Sequence, residues 1–125
     1  MKKDFKNLIW FDGVNKDFTM DENREFAFSL SLGSLVIGFL SFFDKTWHFS
    51  YSDEFKSQNA ILPIINFPDV NRNYVDRQLW SFFASRIPSK AQRIGGNKDS
   101  NDVYYLLKKY GKNVIANPYI LNPVT

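Results

Sequence analysis

The chain contains no cysteine and a single histidine. The absence of cysteine excludes a disulfide framework, a thiolate zinc site and a cysteine nucleophile. His48 occupies a polar position of an alternating segment, with no serine–carboxylate arrangement and no metal-ligand spacing around it, so an ordinary surface role is expected. The sequence therefore predicts a protein that is not an enzyme and that has no metal site and no cofactor.

Long apolar segments are also missing. The longest apolar run, Leu35 to Phe43, is interrupted by Gly38 and Ser41 and is too short to span a bilayer. The first residues are charged and lead into polar sequence, which differs from the apolar segment of a secretory signal. These absences predict a cytoplasmic protein.

Charge of one sign is in small excess. The 125 residues include 16 Lys and Arg against 13 Asp and Glu, a net charge of +3, and the basic residues are scattered. A solvated surface is therefore favoured over a dedicated nucleic-acid patch. The segment Gly95-Gly96-Asn97-Lys98 lacks the spacing of a phosphate-binding loop, which favours a flexible linker.

Aromatic residues, in contrast, are abundant. They make up 18% of the chain, with 13 Phe, in a length that allows one domain with one modest core. Such a domain either has an aromatic core or exposes some of these rings to a partner. Residues 1–24 have the composition of a polar lead with one short strand, Leu8-Ile9-Trp10-Phe11, followed by a turn signal at Asp12-Gly13.

Apolar alternation then predicts three sequential strands joined by short turns, and hence an antiparallel meander. They cover residues 26–32, 35–43 and 47–51. The second strand is apolar on both faces, which predicts a central strand covered on both sides. Ser52 is expected to cap a short helical turn. Residues 61–65 contain a proline, which is typical of an edge strand or a buried extended loop.

Two helices are predicted after these strands. The first runs from about Asn73, its expected cap, to Arg86 and ends before Pro88. The second runs from about Asn101 to Tyr110, with Ser100 or Asn101 as cap and Gly111 at its C-terminal end. The tail from residue 117 reads as extended. The predicted fold class is α+β, with a mainly antiparallel sheet packed against two helices.

The end of the first predicted helix, residues 78–89, carries more apolar area than one turn of a surface helix normally does. With the apolar stripe centred near Leu79 and Phe82, Trp80 lies about 110° from that centre, on the flank of the helix. Arg86 falls on the stripe, where it needs a carboxylate or carbonyl partner, or caps the helix carbonyls. Trp80 is either an extra core residue on the C-terminal helix or an anchor for a partner protein.

Short motifs with a family resemblance follow one another in this part of the chain. They are Phe49-Ser50-Tyr51, Ile61-Leu62-Pro63-Ile64, Leu79-Trp80-Ser81-Phe82-Phe83-Ala84-Ser85-Arg86-Ile87-Pro88-Ser89, Leu106-Leu107-Lys108-Lys109-Tyr110-Gly111 and Ile115-Ala116-Asn117-Pro118 with Leu121. In this order they resemble the N-terminal subdomain of HipA-type toxin kinases. The similarity covers roughly residues 25–125, which are taken as one domain with that fold.

No kinase catalytic loop and no kinase metal-binding motif occurs in the 125 residues. The chain therefore resembles the free-standing form of this subdomain, the HipS antitoxins of tripartite HipBST toxin–antitoxin systems. The resemblance implies an antitoxin that binds and inhibits a HipT-like serine/threonine kinase, while a HipB-like helix-turn-helix protein supplies the DNA contact. No direct nucleic-acid or membrane contact is expected.

The expected partner-binding residues are Trp80 as principal anchor, with Phe83 and Arg86 in support. Other functions remain open at this point: a regulatory or scaffold subunit that binds the kinase without inhibiting it, a nucleic-acid-binding module using the scattered Lys and Arg, or a truncated kinase fragment with no function of its own.

Overall fold

The computed structural model describes residues 10–11, 14–15, 19–88, 101–112 and 117–124. These residues form seven strands and three short helices. The strands are β1 (Trp10–Phe11), β2 (Val14–Asn15), β3 (Phe26–Leu32), β4 (Leu35–Phe43), β5 (Thr46–Tyr51), β6 (Tyr74–Asp76) and β7 (Ile120–Pro123), and the helices are α1 (Asp53–Lys56), α2 (Ser81–Ala84) and α3 (Val103–Tyr110). The predicted α+β class is confirmed at this level.

The main sheet is an antiparallel meander with one added strand. Its order is β6-β5-β4-β3-β7, so the predicted meander of β3, β4 and β5 is confirmed and β4 is central. Two-residue loops join these strands, because Leu32 pairs with Leu35 and Phe43 pairs with Thr46. The tail, predicted as extended, forms the edge strand β7 against β3.

The core lies on one face of this sheet. Phe28, Leu40 and Phe49 are opposite one another on β3, β4 and β5, and all are fully buried. All three helices pack on this face: rings of α1, α2 and α3 contact Tyr51, Phe49 and Phe28 respectively. The described residues thus form two layers, with the three helices over one side of the sheet.

The other face of β4 departs from the prediction. Phe39 and Phe43 are 42% and 43% exposed, so β4 is not covered on both sides. The neighbours of Phe39 across the sheet are Ser29 and Ser50, which are small and polar. An antiparallel sheet joined by tight hairpins needs cover on only one face, since no crossover helix passes over the other.

The first predicted helix is wrong over most of its length. Residues 74–76 form strand β6, in which Val75 pairs with His48 of β5, and only Ser81–Ala84 are helical. The carboxylate of Asp76 accepts a hydrogen bond from the backbone N–H of Gln78 at 3.0 Å. This local turn satisfies a backbone donor outside any helix, which is how aspartate competes with helix formation.

The second predicted helix is confirmed as α3, with a different cap. Asp102 precedes the helix in an extended conformation, and its carboxylate accepts a hydrogen bond from the backbone N–H of Tyr105 at 3.1 Å. The cap is therefore Asp102 in place of Asn101, and Ser100 lies outside the described residues. Ser52 caps α1 as predicted, accepting from the backbone N–H of Phe55.

Residues 61–65 form neither an edge strand nor a buried loop. They are irregular, and Leu62 and Ile65 are 77% and 92% exposed, although Ile64 between them is buried. The proline at position 63 removes a backbone donor from this stretch, which disfavours sheet pairing.

Near the N-terminus, Trp10–Phe11 is a strand as predicted and pairs antiparallel with Val14–Asn15. The rest of that predicted strand (Leu8-Ile9), the turn at Asp12-Gly13 and the loop at 95–98 lie outside the described residues. Thr19 exchanges backbone hydrogen bonds with Asn101 and Val103, at 2.8 and 3.0 Å. Whether the domain begins at residue 25 stays a prediction.

Candidate partner-binding site

Trp80 is the cap residue of helix α2. Its backbone is extended, with φ −65° and ψ 146°, and its carbonyl accepts hydrogen bonds from the N–H groups of Phe83 and Ala84, both at 3.0 Å. Trp80 therefore lies at the entrance to the helix. The predicted angle of Trp80 on the flank of a longer helix does not apply, because no helix precedes it.

The indole of Trp80 rests on a ring that is itself fixed. It packs edge-to-face on Phe67, with centroids 5.1 Å apart, and more distantly on Phe83 at 6.5 Å. Both rings lie outside α3, and Trp80 packs as a partly buried residue against the main core. The side chain is half-buried, with its inner edge on the core and the remainder at the surface.

Phe67, the support for Trp80, is held from both sides. Its carbonyl accepts a hydrogen bond from the Tyr51 hydroxyl at 2.6 Å, and its N–H donates to the carbonyl of Ile64 at 2.8 Å. The ring is fully buried and stacks on Phe49 of the sheet, with centroids 4.5 Å apart. The position of Trp80 is thus coupled directly to the sheet through one aromatic side chain.

Phe83, the second predicted site residue, is fully buried. Its ring contacts those of Phe49, Phe67 and Phe82, with centroids 5.7, 6.0 and 5.0 Å away. It offers no surface to a partner in this conformation. A contribution from Phe83 to partner binding is therefore limited to holding Trp80 and Phe82 in place.

Arg86, the third predicted site residue, is 5% exposed and binds carbonyls. One terminal nitrogen donates to the carbonyls of Gly111 and Tyr119, both at 2.9 Å, and the other donates to the Asn117 side chain at 3.4 Å. A carbonyl partner was one of the predicted possibilities, but these carbonyls belong to the chain after α3 and not to its own helix. Arg86 therefore ties α2 to the C-terminal segment.

The Arg86 guanidinium carries a charge with no carboxylate partner among the residues that the structure describes. Its Nε is buried and has no hydrogen-bond acceptor there. Burial disfavours the charged form and lowers the pKa of Arg86 to about 10. The group is still charged at neutral pH, so the site contains a buried positive charge that is held by neutral oxygen acceptors among the described residues.

A cleft of about 280 Å³ lies beside these residues. Its lining comes from three stretches of the chain: Pro63, Ile64, Ile65 and Asn66, then Phe82, then Tyr119. The sequence did not predict this cleft, since residues 61–65 were expected to be buried or in a strand. The available signal was the placement of four apolar residues around a proline, more than an irregular segment can bury on one side.

His48 packs within the β4–β5 hairpin. The Nε2 of His48 is 2.9 Å from the hydroxyl of Thr46, and its ring stacks on Phe43 with centroids 3.9 Å apart. Within the described ranges, no three metal-ligating side chains come together and no helix has the length and apolarity needed to cross a membrane.

Comparison with protein-family models and with curated proteins gives no match for this chain. The features that bear on function are therefore those of the chain itself. They are Trp80 supported by Phe67, the buried Arg86 later in the sequence, and the adjacent apolar cleft. This arrangement can bind another molecule through apolar contact.

Proposed function

We propose that this chain is a non-enzymatic antitoxin of the HipS type, which binds a HipT-like serine/threonine kinase by protein–protein contact and inhibits it. A HipB-like helix-turn-helix protein would supply the DNA contact of the complex. The motif resemblance to the HipA N-terminal subdomain suggests the class of partner. The proposal includes the fold of that subdomain and a cytoplasmic location. The observation that carries the proposal is Trp80, half-exposed and supported by a fixed ring.

Trp80 has the properties of a binding anchor. Its position on Phe67 restricts the side chain before binding, so less conformational entropy is lost when a partner closes over it. Its indole N–H has no acceptor among the described residues and remains available as a donor. Tryptophan is enriched among interface hot spots, where truncation costs about 2–4 kcal/mol.

Inhibition by such an anchor needs no chemistry from this chain. Phosphoryl transfer depends on the positioning of nucleotide, metal and acceptor, so a small displacement in the kinase removes much of its activity. An aromatic side chain inserted at a cleft or hinge of the kinase produces a displacement of this kind.

The proposal is tested by co-expressing a HipT-like kinase with the Trp80→Ala variant. We expect the kinase to regain toxicity and its affinity for the chain to fall by about 30-fold to 1,000-fold. Phe39→Ala is the matched control, because Phe39 is an exposed aromatic residue on the opposite face of the sheet. Circular dichroism and thermal unfolding establish that both variants fold.

Three results separate the possible functions. If the Trp80→Ala variant folds, and binds and neutralises the kinase like the parent, Trp80 is not the anchor. A parent chain that binds the kinase without reducing its toxicity is a non-inhibitory subunit. A parent chain that ignores the kinase and binds DNA with steep salt dependence is a nucleic-acid-binding module.

A further inference from the structure

We propose that the cleft lined by residues 63–66, Phe82 and Tyr119, together with the exposed Leu62 that precedes it in the chain, is a second contact site for the kinase. It accommodates an apolar segment of the kinase that carries an acidic side chain. This inference rests on the proposed function, since it takes the kinase as the occupant, and it adds a surface separate from Trp80.

Exposure is the first observation. Leu62 and Ile65 are 77% and 92% exposed, the most exposed of the large apolar side chains in the part of the chain that the structure describes. Ile65 lines the cleft, whose lining is mainly aliphatic and aromatic, and Leu62 directly precedes the lining residue Pro63 in the chain. Clustered exposed apolar residues beside a concave surface are typical of protein-interaction sites.

Rigidity is the second observation. Gln58 holds Ile61 through two hydrogen bonds, donating to its carbonyl at 3.1 Å and accepting from its N–H at 2.8 Å. The N–H of Ile64 donates to the Tyr51 hydroxyl at 2.9 Å. These hydrogen bonds restrain the backbone that carries Leu62 and Ile65. Little conformational entropy is therefore lost when a partner binds these side chains.

Charge identifies the chemistry of the occupant. Phe82 and Tyr119 both line the cleft, and both contact Arg86: the guanidinium carbon is 5.6 Å from the centroid of the Phe82 ring, and Tyr119 accepts one of its hydrogen bonds. The residues lining the cleft are uncharged, so nothing among them offsets this buried cation. Its field is focused by the low-dielectric surroundings and favours a carboxylate at the mouth of the cleft.

Continuity with Trp80 argues for the same partner at both places. The rings form a connected series, since Phe67 contacts Trp80 at 5.1 Å and Phe82 at 6.5 Å between centroids. Phe67 is fully buried, so this series lies beneath the surface and joins the supports of Trp80 and of the cleft into one packed cluster, which favours the same partner at both places.

The test measures the affinity of a catalytically inactive HipT-like kinase for the full chain and four variants, by calorimetry. Ile65→Asp and Ile65→Lys place either charge at the edge of the cleft. Val75→Asp and Val75→Lys are matched controls, because Val75 is an exposed β-branched residue, 55% accessible, on the other face of the sheet. Thermal unfolding checks that all four fold.

We expect Ile65→Asp to weaken binding by about 30-fold and Ile65→Lys by about threefold, because only the aspartate repels the acidic side chain of the kinase. The Val75 variants should bind within about twofold of the parent. Equal losses for Asp and Lys at position 65 would overturn the acidic occupant. If both Ile65 variants bind like the parent while Trp80→Ala binds more weakly, the cleft is not a contact site and the proposed function still holds. If the parent chain does not bind the kinase, both the cleft proposal and the proposed function are wrong.

Discussion

Two buried polar side chains hold the stretches of chain that form the candidate site. Tyr51, on strand β5, donates to Phe67 and accepts from Ile64, and so fixes the segment that supports Trp80. Arg86 fixes the C-terminal segment of the site by donating hydrogen bonds to the carbonyls of Gly111 and Tyr119. At the residue scale, both therefore act on the site from beneath, as positioning groups.

The Tyr51 contribution is expected to depend on pH. Burial raises the pKa of Tyr51 from 10.0 to about 12. Because the folded pKa lies above the unfolded one, the protonated phenol stabilises the fold fully below pH 10, and this stability is lost as the pH rises toward about 12. Tyr51→Phe lacks this titration, so the stability difference between parent and variant should shrink by roughly 2–3 kcal/mol across that interval.

Urea unfolding of both proteins at several pH values between about 8 and 12 measures this difference. Arg86 titrates with the opposite sign: its folded pKa is lowered to about 10, so the cost of burying its charge is relieved above that value. That contribution is present in both proteins and cancels in the comparison. A difference that stays constant with pH would contradict the role given to the Tyr51 proton.

At the element scale, strands were easier to predict than helices. The alternation in β3 and β5 directly reflects one buried and one open face, and the structure keeps it, with Phe28, Leu30, Trp47 and Phe49 inside. The false helix before Trp80 arose because apolar residues at helical spacing were taken as one stripe. In the structure Val75 is exposed while Leu79 and Phe83 are buried, and the Asp76 turn breaks the run.

The turn between β4 and β5 is an element whose sequence opposes its geometry. Asp44 and Lys45 occupy its two central positions with φ of 52° and 64°, as in a type I′ turn, where glycine is preferred. Lys45→Gly relieves the strain of a side chain in the left-handed region. We expect the free energy of unfolding to rise by about 1 kcal/mol, measured by urea denaturation.

The neighbouring hairpin supplies the control for Lys45→Gly. Ser34 is the second central residue of the β3–β4 turn and is exposed like Lys45, but its φ is not positive. Ser34→Gly relieves no backbone strain and increases the conformational entropy of the unfolded chain. It should therefore lower the free energy of unfolding by about 0.5–1 kcal/mol. Stabilisation by both substitutions would show that the left-handed conformation at Lys45 is not the cause.

At the scale of the whole molecule, the candidate site draws on three stretches distant in sequence, around residues 62–67, 80–86 and 117–119. Only the middle one could be predicted as a site, because its aromatic residues are adjacent in the chain. Whether Phe83 and Arg86 were buried or exposed depended on packing against Phe49 and the segment after α3, and no local pattern encodes such contacts.

The extent of the folded domain toward the N-terminus can be tested at Met20, which precedes the predicted boundary at residue 25. Met20 is buried in the main core, and nearby Arg24 forms an ion pair with Asp102 at 2.8 Å. Met20→Ala should therefore lower the free energy of unfolding by about 2–3 kcal/mol, because it leaves a cavity. Asn23→Ala, an exposed substitution in the same stretch, should change it by less than about 0.5 kcal/mol. Urea denaturation of the full chain measures both, and equal stability of the two variants would place the stretch outside the cooperative domain.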